Sequence, residues 1–144
     1  MQLSRSLAWL PLCFLCACSS MPDRPAPGAT LLPCGPLPHC VSSTSTRPDQ
    51  AIAPLTATAQ QWQQLKQWLA TQEHWTITED TGDFLQAVVS TPLLHFQDDV
   101  QLLYDQHTGV VQVRSSSRLG ISDLGTNRRR VELLRDHLAA DPGT

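Results

Sequence analysis

The stretch RSSSRLGISDLGTNRRR, residues Arg114 to Arg130, concentrates charge, hydroxyl groups and glycines as no other part of the 144-residue sequence does. Alternating apolar residues run up to its first arginine, which is typical of a β-strand. Apolar residues at helical spacing follow its last arginine, which is typical of an amphipathic helix. The stretch therefore joins the last strand of a predicted sheet to the last helix of the chain.

The start of that last helix has an unusual charge. A helix N-terminus carries unpaired N–H groups and a partial positive charge, so it favours anions. If the helix begins near Thr126 or Asn127, which are both suitable caps, three arginines fill its first turn. We expect either an internal carboxylate or an external phosphate, sulfate or carboxylate to compensate them. The candidates for this anion-binding site or structural ion network are Asp98, Asp99, Arg114, Ser115, Ser117, Arg118, Asp123, Asn127, Arg128 and Arg130.

Four strands are predicted ahead of this stretch, near residues 74–78, 84–90, 100–105 and 110–115, from alternating apolar residues and from intervening turn signals. Short connections make these strands antiparallel neighbours. Thr91 and Pro92 end the second strand, and a loop carrying Asp98 and Asp99 is expected to follow. One helix is predicted from about 58 to 71 and another from about 127 to 139. The pattern predicts an α+β fold, with an antiparallel sheet of about four strands and both helices on one face.

The N-terminus has the pattern of an export signal. Arg5 precedes an apolar run over residues 7–18 that is too short to span a bilayer. The run ends in Leu15-Cys16-Ala17-Cys18, which resembles the lipobox of bacterial lipoproteins and implies removal of residues 1–17 and lipidation of Cys18. An ordinary secretory signal, cleaved a few residues later, is the alternative. Ser19 rather than Asp follows the cysteine, which in lipoproteins resembling enterobacterial ones implies the outer membrane, with the domain facing the periplasm.

The remaining chain predicts a tether over residues 18–32, a single globular domain over 33–140 and a short tail over 141–144. Cys34 and Cys40 are the two thiols left after signal removal and lipidation, and an oxidising compartment predicts that they form a disulfide. A redox role is less favoured because their spacing is not C-x-x-C. A metal site with His39 lacks a fourth ligand, and neither a metal nor a cofactor is expected.

Charge restricts the classes of partner. The formal net charge of the whole chain is −3, whereas nucleic-acid binding needs a strongly basic face. Acidic residues dominate from 49 to 105 and basic residues from 114 to 135, so the two halves are expected to pair within the fold.

Three separated blocks resemble a family of bacterial and plastid proteins grouped as domain of unknown function 1499. They are residues 34–43 with the pattern Cys-Pro-rich-Cys-Val-Ser-Ser, residues 96–100 with Phe-x-Asp-Asp-Val, and the long block 114–130. His39 replaces an asparagine often seen in the first block, and Thr91-Pro92 interrupts a strand that is usually more regular. The resemblance covers nearly the whole predicted domain and implies no activity, since the function of that family is unassigned.

Two classes of function fit these residues. The first is a non-enzymatic envelope lipoprotein that binds an anionic small molecule or docks an envelope protein, with the arginines as bidentate donors. The alternative is a hydrolase-like enzyme using carboxylates near Asp98 and Asp99. Adjacent residues of a strand face opposite sides, and the serines lack a G-x-S-x-G elbow. The sequence therefore favours a binding module and designates no catalytic residue.

Overall fold

The computed structural model describes residues 31–140. The predicted signal peptide, the predicted lipidation site Cys18, the tether up to residue 30 and the tail 141–144 lie outside the described residues. Within residues 31–140, no helix combines the length and the apolar character needed to cross a membrane.

The described chain forms six strands and two helices, which confirms the predicted α+β class. The strands are β1 (Cys40–Ser42), β2 (Leu55–Thr56), β3 (Trp75–Asp80), β4 (Phe84–Ser90), β5 (Gln97–Asp105) and β6 (Val110–Ser117). The helices are α1 (Ala59–Thr71) and α2 (Thr126–Ala140). A capping box begins α1: the Thr58 side chain accepts from the Gln61 N–H, and the Gln61 side chain accepts from the Thr58 N–H.

The strands form one antiparallel sheet in the order β1-β6-β5-β4-β3, and β2 also pairs with β6. Strand β5 occupies one edge of β6 over the whole length of β6. β1 and β2 therefore lie end to end on the other edge of β6. The predicted number of about four strands is therefore too low. β1 and β2 contain only three and two residues, which is too short for an alternating pattern to reveal.

The hydrophobic core lies between one face of the sheet and the two helices. Helix α1 contributes Trp62, Leu65 and Leu69, and α2 contributes Val131, Leu134 and Leu138. Trp62 stacks on Tyr104 of β5 with ring centroids 5.4 Å apart, and its indole N–H donates to the Gly82 carbonyl over 2.7 Å. The sheet supplies alternate residues, namely Leu85, Ala87 and Val89 of β4, Val100, Leu102 and Tyr104 of β5, and Val111 and Val113 of β6.

Strand β5 begins at Gln97 rather than near residue 100, so Asp98 and Asp99 lie in the sheet and the expected loop ends earlier. Their partners are Ser117 and Ser116 of β6, and both carboxylate residues are buried. Acidic residues are rare in strand interiors, so the sequence pattern alone favours a loop there. The arginines that compensate them, described below, make their burial possible.

The predicted disulfide between Cys34 and Cys40 is confirmed, with the two Cα atoms 5.7 Å apart. It fixes the segment that precedes β1. Since Cys40 is opposite Ser116 near the end of β6, the chain enters the sheet at the end where β6 stops. The loops 91–96 and 118–125 leave β4 and β6 at this same end.

Candidate functional site

Strand β5 distributes its two adjacent carboxylates between the two faces of the sheet. Asp98 shares a face with Val100 and Leu102, which belong to the core under the helices. Asp99 therefore lies on the opposite face, where its neighbour across the strands is Ser116 of β6. The predicted site residues consequently divide into two groups that do not share a face.

On the helix side, Asp98 is paired with Arg130 of α2. Arg130 Nη2 lies 2.5 Å from Asp98 Oδ2, and both side chains are buried. Its other terminal nitrogen, Nη1, donates to Ser115 Oγ over 2.9 Å and to Asn127 Oδ1 over 2.6 Å. The Ser115 hydroxyl donates to the same Asn127 oxygen over 2.6 Å. The charges of Asp98 and Arg130 thus compensate each other, and residues of the protein itself supply their hydrogen-bond partners. A buried ion pair requires both conditions.

Asn127 is completely buried and connects three segments of the chain. Its amide nitrogen Nδ2 lies 3.0 Å from the His39 carbonyl oxygen, 2.9 Å from Ser117 Oγ and 2.7 Å from Asp123 Oδ2. These contacts join the segment before β1, the end of β6 and the loop before α2. A single amide therefore holds these three segments together at the end of the domain where β6 stops.

Asp123 supplies the negative charge at the start of α2. Its carboxylate accepts from the backbone N–H groups of Gly125 and Asn127 over 2.9 Å and 2.8 Å, which is the arrangement favoured at a helix N-terminus. Partial burial acts to raise the pKa of Asp123, but the hydrogen bonds from Asn127 and Gly125 outweigh it and lower the pKa below its usual value. Gly125 has φ = 81°, a conformation that glycine adopts without strain.

On the opposite face, Arg118 holds Asp99 in a two-point contact. Arg118 Nε and Nη2 lie 2.9 Å and 2.7 Å from the two carboxylate oxygens, the geometry that makes arginine and carboxylate pairs strong. Arg118 Nη1 also donates to Gln97 Oε1 over 2.7 Å. The hydrogen bonds that Arg118 donates to the Asp99 carboxylate raise the pKa of Arg118.

Two arginines of the first helical turn contact backbone carbonyl groups. Arg128 Nη2 donates to the Ala51 carbonyl over 2.9 Å, and Arg129 Nη1 donates to the Leu124 carbonyl over 3.0 Å. The first contact ties α2 to the segment between β1 and β2, and the second ties it to the loop 118–125. Of the three arginines at the start of α2, only Arg130 meets a carboxylate within the described chain, whereas the other two donate to backbone carbonyl groups.

Arg114 differs from the other predicted arginines. It lies on the same face as Asp99, and its Nε is buried without an acceptor. Within residues 31–140, no hydrogen bond or ion pair engages its guanidinium group. Burial lowers the pKa of Arg114, and the nearby charge of Asp99 partly offsets this effect. Gln101, its neighbour on β5, is completely buried, and its Oε1 has no donor.

Apolar side chains project from the two loops at the end of the domain where the chain enters the sheet. Loops 91–96 and 118–125 together expose Leu93, Leu94, Phe96, Leu119, Ile121 and Leu124, between 47% and 86% of each residue. A cleft of about 320 Å³ lies between the loops and is lined by Phe96, Leu119 and Leu124 together with Asp98 and Ser117. We call this surface the apolar loop end.

The backbone of these loops adopts uncommon conformations. His95 and Leu124 both have φ = 51°, a left-handed conformation that few residues other than glycine adopt. Asp123 and Asn127 hold the second loop through the contacts described above. None of these six apolar residues is among the predicted site residues, because they have neither helical nor strand spacing. The signal that could have revealed them is the concentration of leucine and isoleucine in segments rich in turn residues.

A family model described as "Protein of unknown function (DUF1499)" matches residues 30–138. The chain belongs to the DUF1499 family. The match spans β1 to α2 and therefore includes every residue of the two networks and the apolar loop end. No curated protein and no solved structure shows significant similarity to the chain. Membership of DUF1499 defines the extent of the domain and assigns it no activity.

Proposed function

We propose that this protein is a lipid-anchored module of the bacterial envelope that binds without catalysis, and that its apolar loop end docks on the surface of a lipid bilayer. The observation that carries the proposal is the cluster of six large apolar side chains exposed on two neighbouring loops. Contiguous exposed apolar surface is uncommon on soluble domains, and it usually marks an interaction site. The cluster also lies at the end of the domain where the described chain enters the sheet, and the proposed anchor at Cys18 would attach the domain from that side.

The contacts of the carboxylates support a role without catalysis. Asp98 and Asp99 face opposite sides of the sheet, so they cannot act together on one bond. Each already binds an arginine, Arg130 and Arg118 respectively. A catalytic pair of carboxylates requires both groups in one cleft. Two polar residues of the family pattern, Asp123 and Asn127, instead hold the loop 118–125, which carries three of the apolar side chains.

The path of the chain supports a bilayer as the partner. Cys34 is fixed beside Cys40 at the loop end, and the predicted lipidated residue Cys18 precedes it by 16 positions. Sixteen residues span at most roughly 55 Å, the length of a fully extended chain. Lipidation of Cys18 would therefore keep the apolar loop end close to the membrane surface, where burial of a few leucine side chains adds to the anchor.

Vesicle sedimentation tests this proposal. The chain with Cys18→Ser removes the contribution of the anchor, and vesicles of phosphatidylethanolamine and phosphatidylglycerol provide the surface. We expect the Cys18→Ser protein to bind, and the additional changes Leu93→Ser and Leu124→Ser to weaken binding by roughly 100- to 10,000-fold, because burial of each leucine contributes about 1.5–3 kcal/mol.

Leu133 provides the matched control for this experiment. It is 51% exposed on α2, away from the two loops, so Leu133→Ser is expected to leave vesicle binding unchanged. Equal binding by the Leu93 and Leu124 double variant and by its parent would refute the proposal. So would an absence of vesicle binding by the parent itself.

A further inference from the structure

The cleft of the apolar loop end has an apolar rim and a polar floor. Phe96, Leu119 and Leu124 line the cleft and are exposed. Asp98 lines it as well but is only 3% exposed, and Ser117 lies opposite Asp98 at the end of β6. The exposed apolar side chains therefore surround the mouth of the cleft, and the Asp98 carboxylate lies at its bottom.

One oxygen of this carboxylate is available to a ligand. Arg130 Nη2 donates to Asp98 Oδ2. Within residues 31–140, no group donates to Asp98 Oδ1. Oδ1 is also not one of the unpaired atoms that the fold encloses completely, so it faces the space of the cleft. An ionised carboxylate only accepts hydrogen bonds, and both of its oxygens need donors. The floor of the cleft thus contains a charged acceptor without a donor from the protein.

Docking on a bilayer changes what can donate to this oxygen. While the domain is in water, a solvent molecule can donate to Asp98 Oδ1. Once the apolar rim is buried at the membrane surface, the mouth of the cleft no longer opens to bulk water. A charged acceptor without a donor is then costly. An acyl chain has no donor, so the headgroup of a lipid must supply it.

The hydroxyl groups around the cleft fit the other part of a headgroup. Each of four hydroxyl oxygens accepts a hydrogen bond from the protein and donates none within the described chain; these are Thr91, Ser117, Ser122 and Thr126. Their protons remain available to the oxygens of a phosphate. Because every phospholipid carries that phosphate, only the group attached beyond the phosphate can discriminate between lipids at Asp98.

We infer, on the basis of the proposed docking, that the cleft binds a phospholipid whose headgroup ends in a primary ammonium, as in phosphatidylethanolamine. The ammonium donates to Asp98 Oδ1, and the hydroxyl groups donate to the phosphate. Asp123 is a second carboxylate of the cleft lining and adds to the attraction for a cation. Phosphatidylcholine has the same charge but no N–H group, so it leaves Oδ1 unpaired. Sites with such a buried group reject ligands that cannot pair with it.

Sedimentation of the Cys18→Ser chain with two kinds of vesicle tests the inference. One kind contains phosphatidylcholine alone, and in the other half of it is replaced by phosphatidylethanolamine with the same acyl chains. We expect binding to the second kind to be roughly tenfold tighter or more, the usual effect of a hydrogen bond to a charged group. Equal binding to both would overturn the inference and leave the proposed docking intact. An absence of binding to both would refute the docking itself and the inference with it.

Asp98→Asn assigns the preference to the cleft. The two vesicle surfaces also differ in headgroup packing, but packing acts on the inserted leucines and not on the floor of the cleft. Asparagine can keep an oxygen toward Arg130 and place an amide nitrogen in the cleft, which donates where Oδ1 accepts. The variant should therefore lose most of the preference for phosphatidylethanolamine. A preference that Asp98→Asn leaves unchanged would overturn the inference.

Asp99→Asn is the matched control for this variant. Asp99 also pairs with an arginine, Arg118, but it lies on the opposite face of the sheet and does not line the cleft. Asp99→Asn should retain the preference, and its loss in both variants would show a general effect of weakened ion pairs and overturn the inference. If Asp98→Asn does not fold, Arg130→Met with Asp98→Leu removes the acceptor and leaves no buried charge unpaired. This double variant should bind the two kinds of vesicle almost equally, and a retained preference would again overturn the inference.

Discussion

Replacing Arg130 by methionine is expected to lower the free energy of unfolding by about 3–5 kcal/mol, the usual cost of removing one partner of a buried ion pair. Arg130 and Asp98 are both buried, so the remaining carboxylate would have neither its cation nor access to water. Ser115 and Asn127 would each lose a hydrogen-bond donor as well. Methionine keeps most of the side-chain volume, so little of this cost would come from a cavity.

Calorimetry or denaturant titration measures this change. In a domain of this size, about 1 kcal/mol shifts the unfolding midpoint by roughly 4 °C, so a decrease of about 12–20 °C is expected. The double variant Arg130→Met with Asp98→Leu leaves no buried charge unpaired. The decrease in the free energy of unfolding caused by the double change should be well below the sum of the decreases caused by the two single changes, because the two residues interact.

A pair at the surface provides the comparison. Arg47 and Asp49 form an ion pair with side chains 49% and 47% exposed, and Arg47→Met should cost no more than about 1 kcal/mol. If Arg130→Met costs as little as Arg47→Met, or if the single costs of Arg130→Met and Asp98→Leu add, the buried network does not hold the loop end together. Arg130, Asp98 and their partners would then not form a scaffold for the loops.

Two further changes test the cap of α2 and a tight turn. The lowered pKa of Asp123 means that its contribution to stability is complete above about pH 4 and is lost as the pH falls through the lower pKa of the folded state. The difference in midpoint between the unmodified chain and Asp123→Asn should therefore shrink below about pH 4, and a constant difference from pH 3 to 7 would contradict this reasoning. Gly109 has φ = 70°, and an added Cβ would lie 3.1 Å from the Ala57 carbonyl oxygen, so Gly109→Ala should cost about 1–2 kcal/mol in chemical denaturation. Gly35→Ala, which meets no atom within 4 Å, should be nearly neutral by the same measurement.

The central strands and both helices could be predicted because each has one face in the core. Leu85, Ala87 and Val89 alternate with other residues along β4, and the apolar residues of α1 recur at helical spacing. Such periodicity follows directly from burial on one side. The disulfide could be predicted from the number of cysteines and the expected compartment, without any knowledge of the fold.

The pairing within the site could not be predicted in the same way. Arg130 is 32 residues from Asp98, and Arg118 is 19 residues from Asp99. Five arginines and three carboxylates permit many pairings, and the register of β5 and β6 together with the position of α2 on the sheet selects among them. Gln101 is a polar residue in the middle of a strand, and nothing in its sequence context indicates that it is completely buried. These features depend on tertiary contacts and leave no local pattern.

The adjacent carboxylates of β5 also determine what can fix its alignment in the sheet. If β5 slipped by one residue during folding, Asp99 would turn toward the helices and Asp98 toward the other face, because a one-residue slip exchanges the faces of a strand. Each face would still receive one carboxylate for its arginine, so ion pairing discriminates poorly between the two alignments. Val100, Leu102 and Tyr104 would turn away from the helices, and the core would lose three of its side chains. The correct alignment of β5 is therefore selected by the burial of its apolar residues in the core. The ion pairs of Asp98 and Asp99 contribute little to this selection.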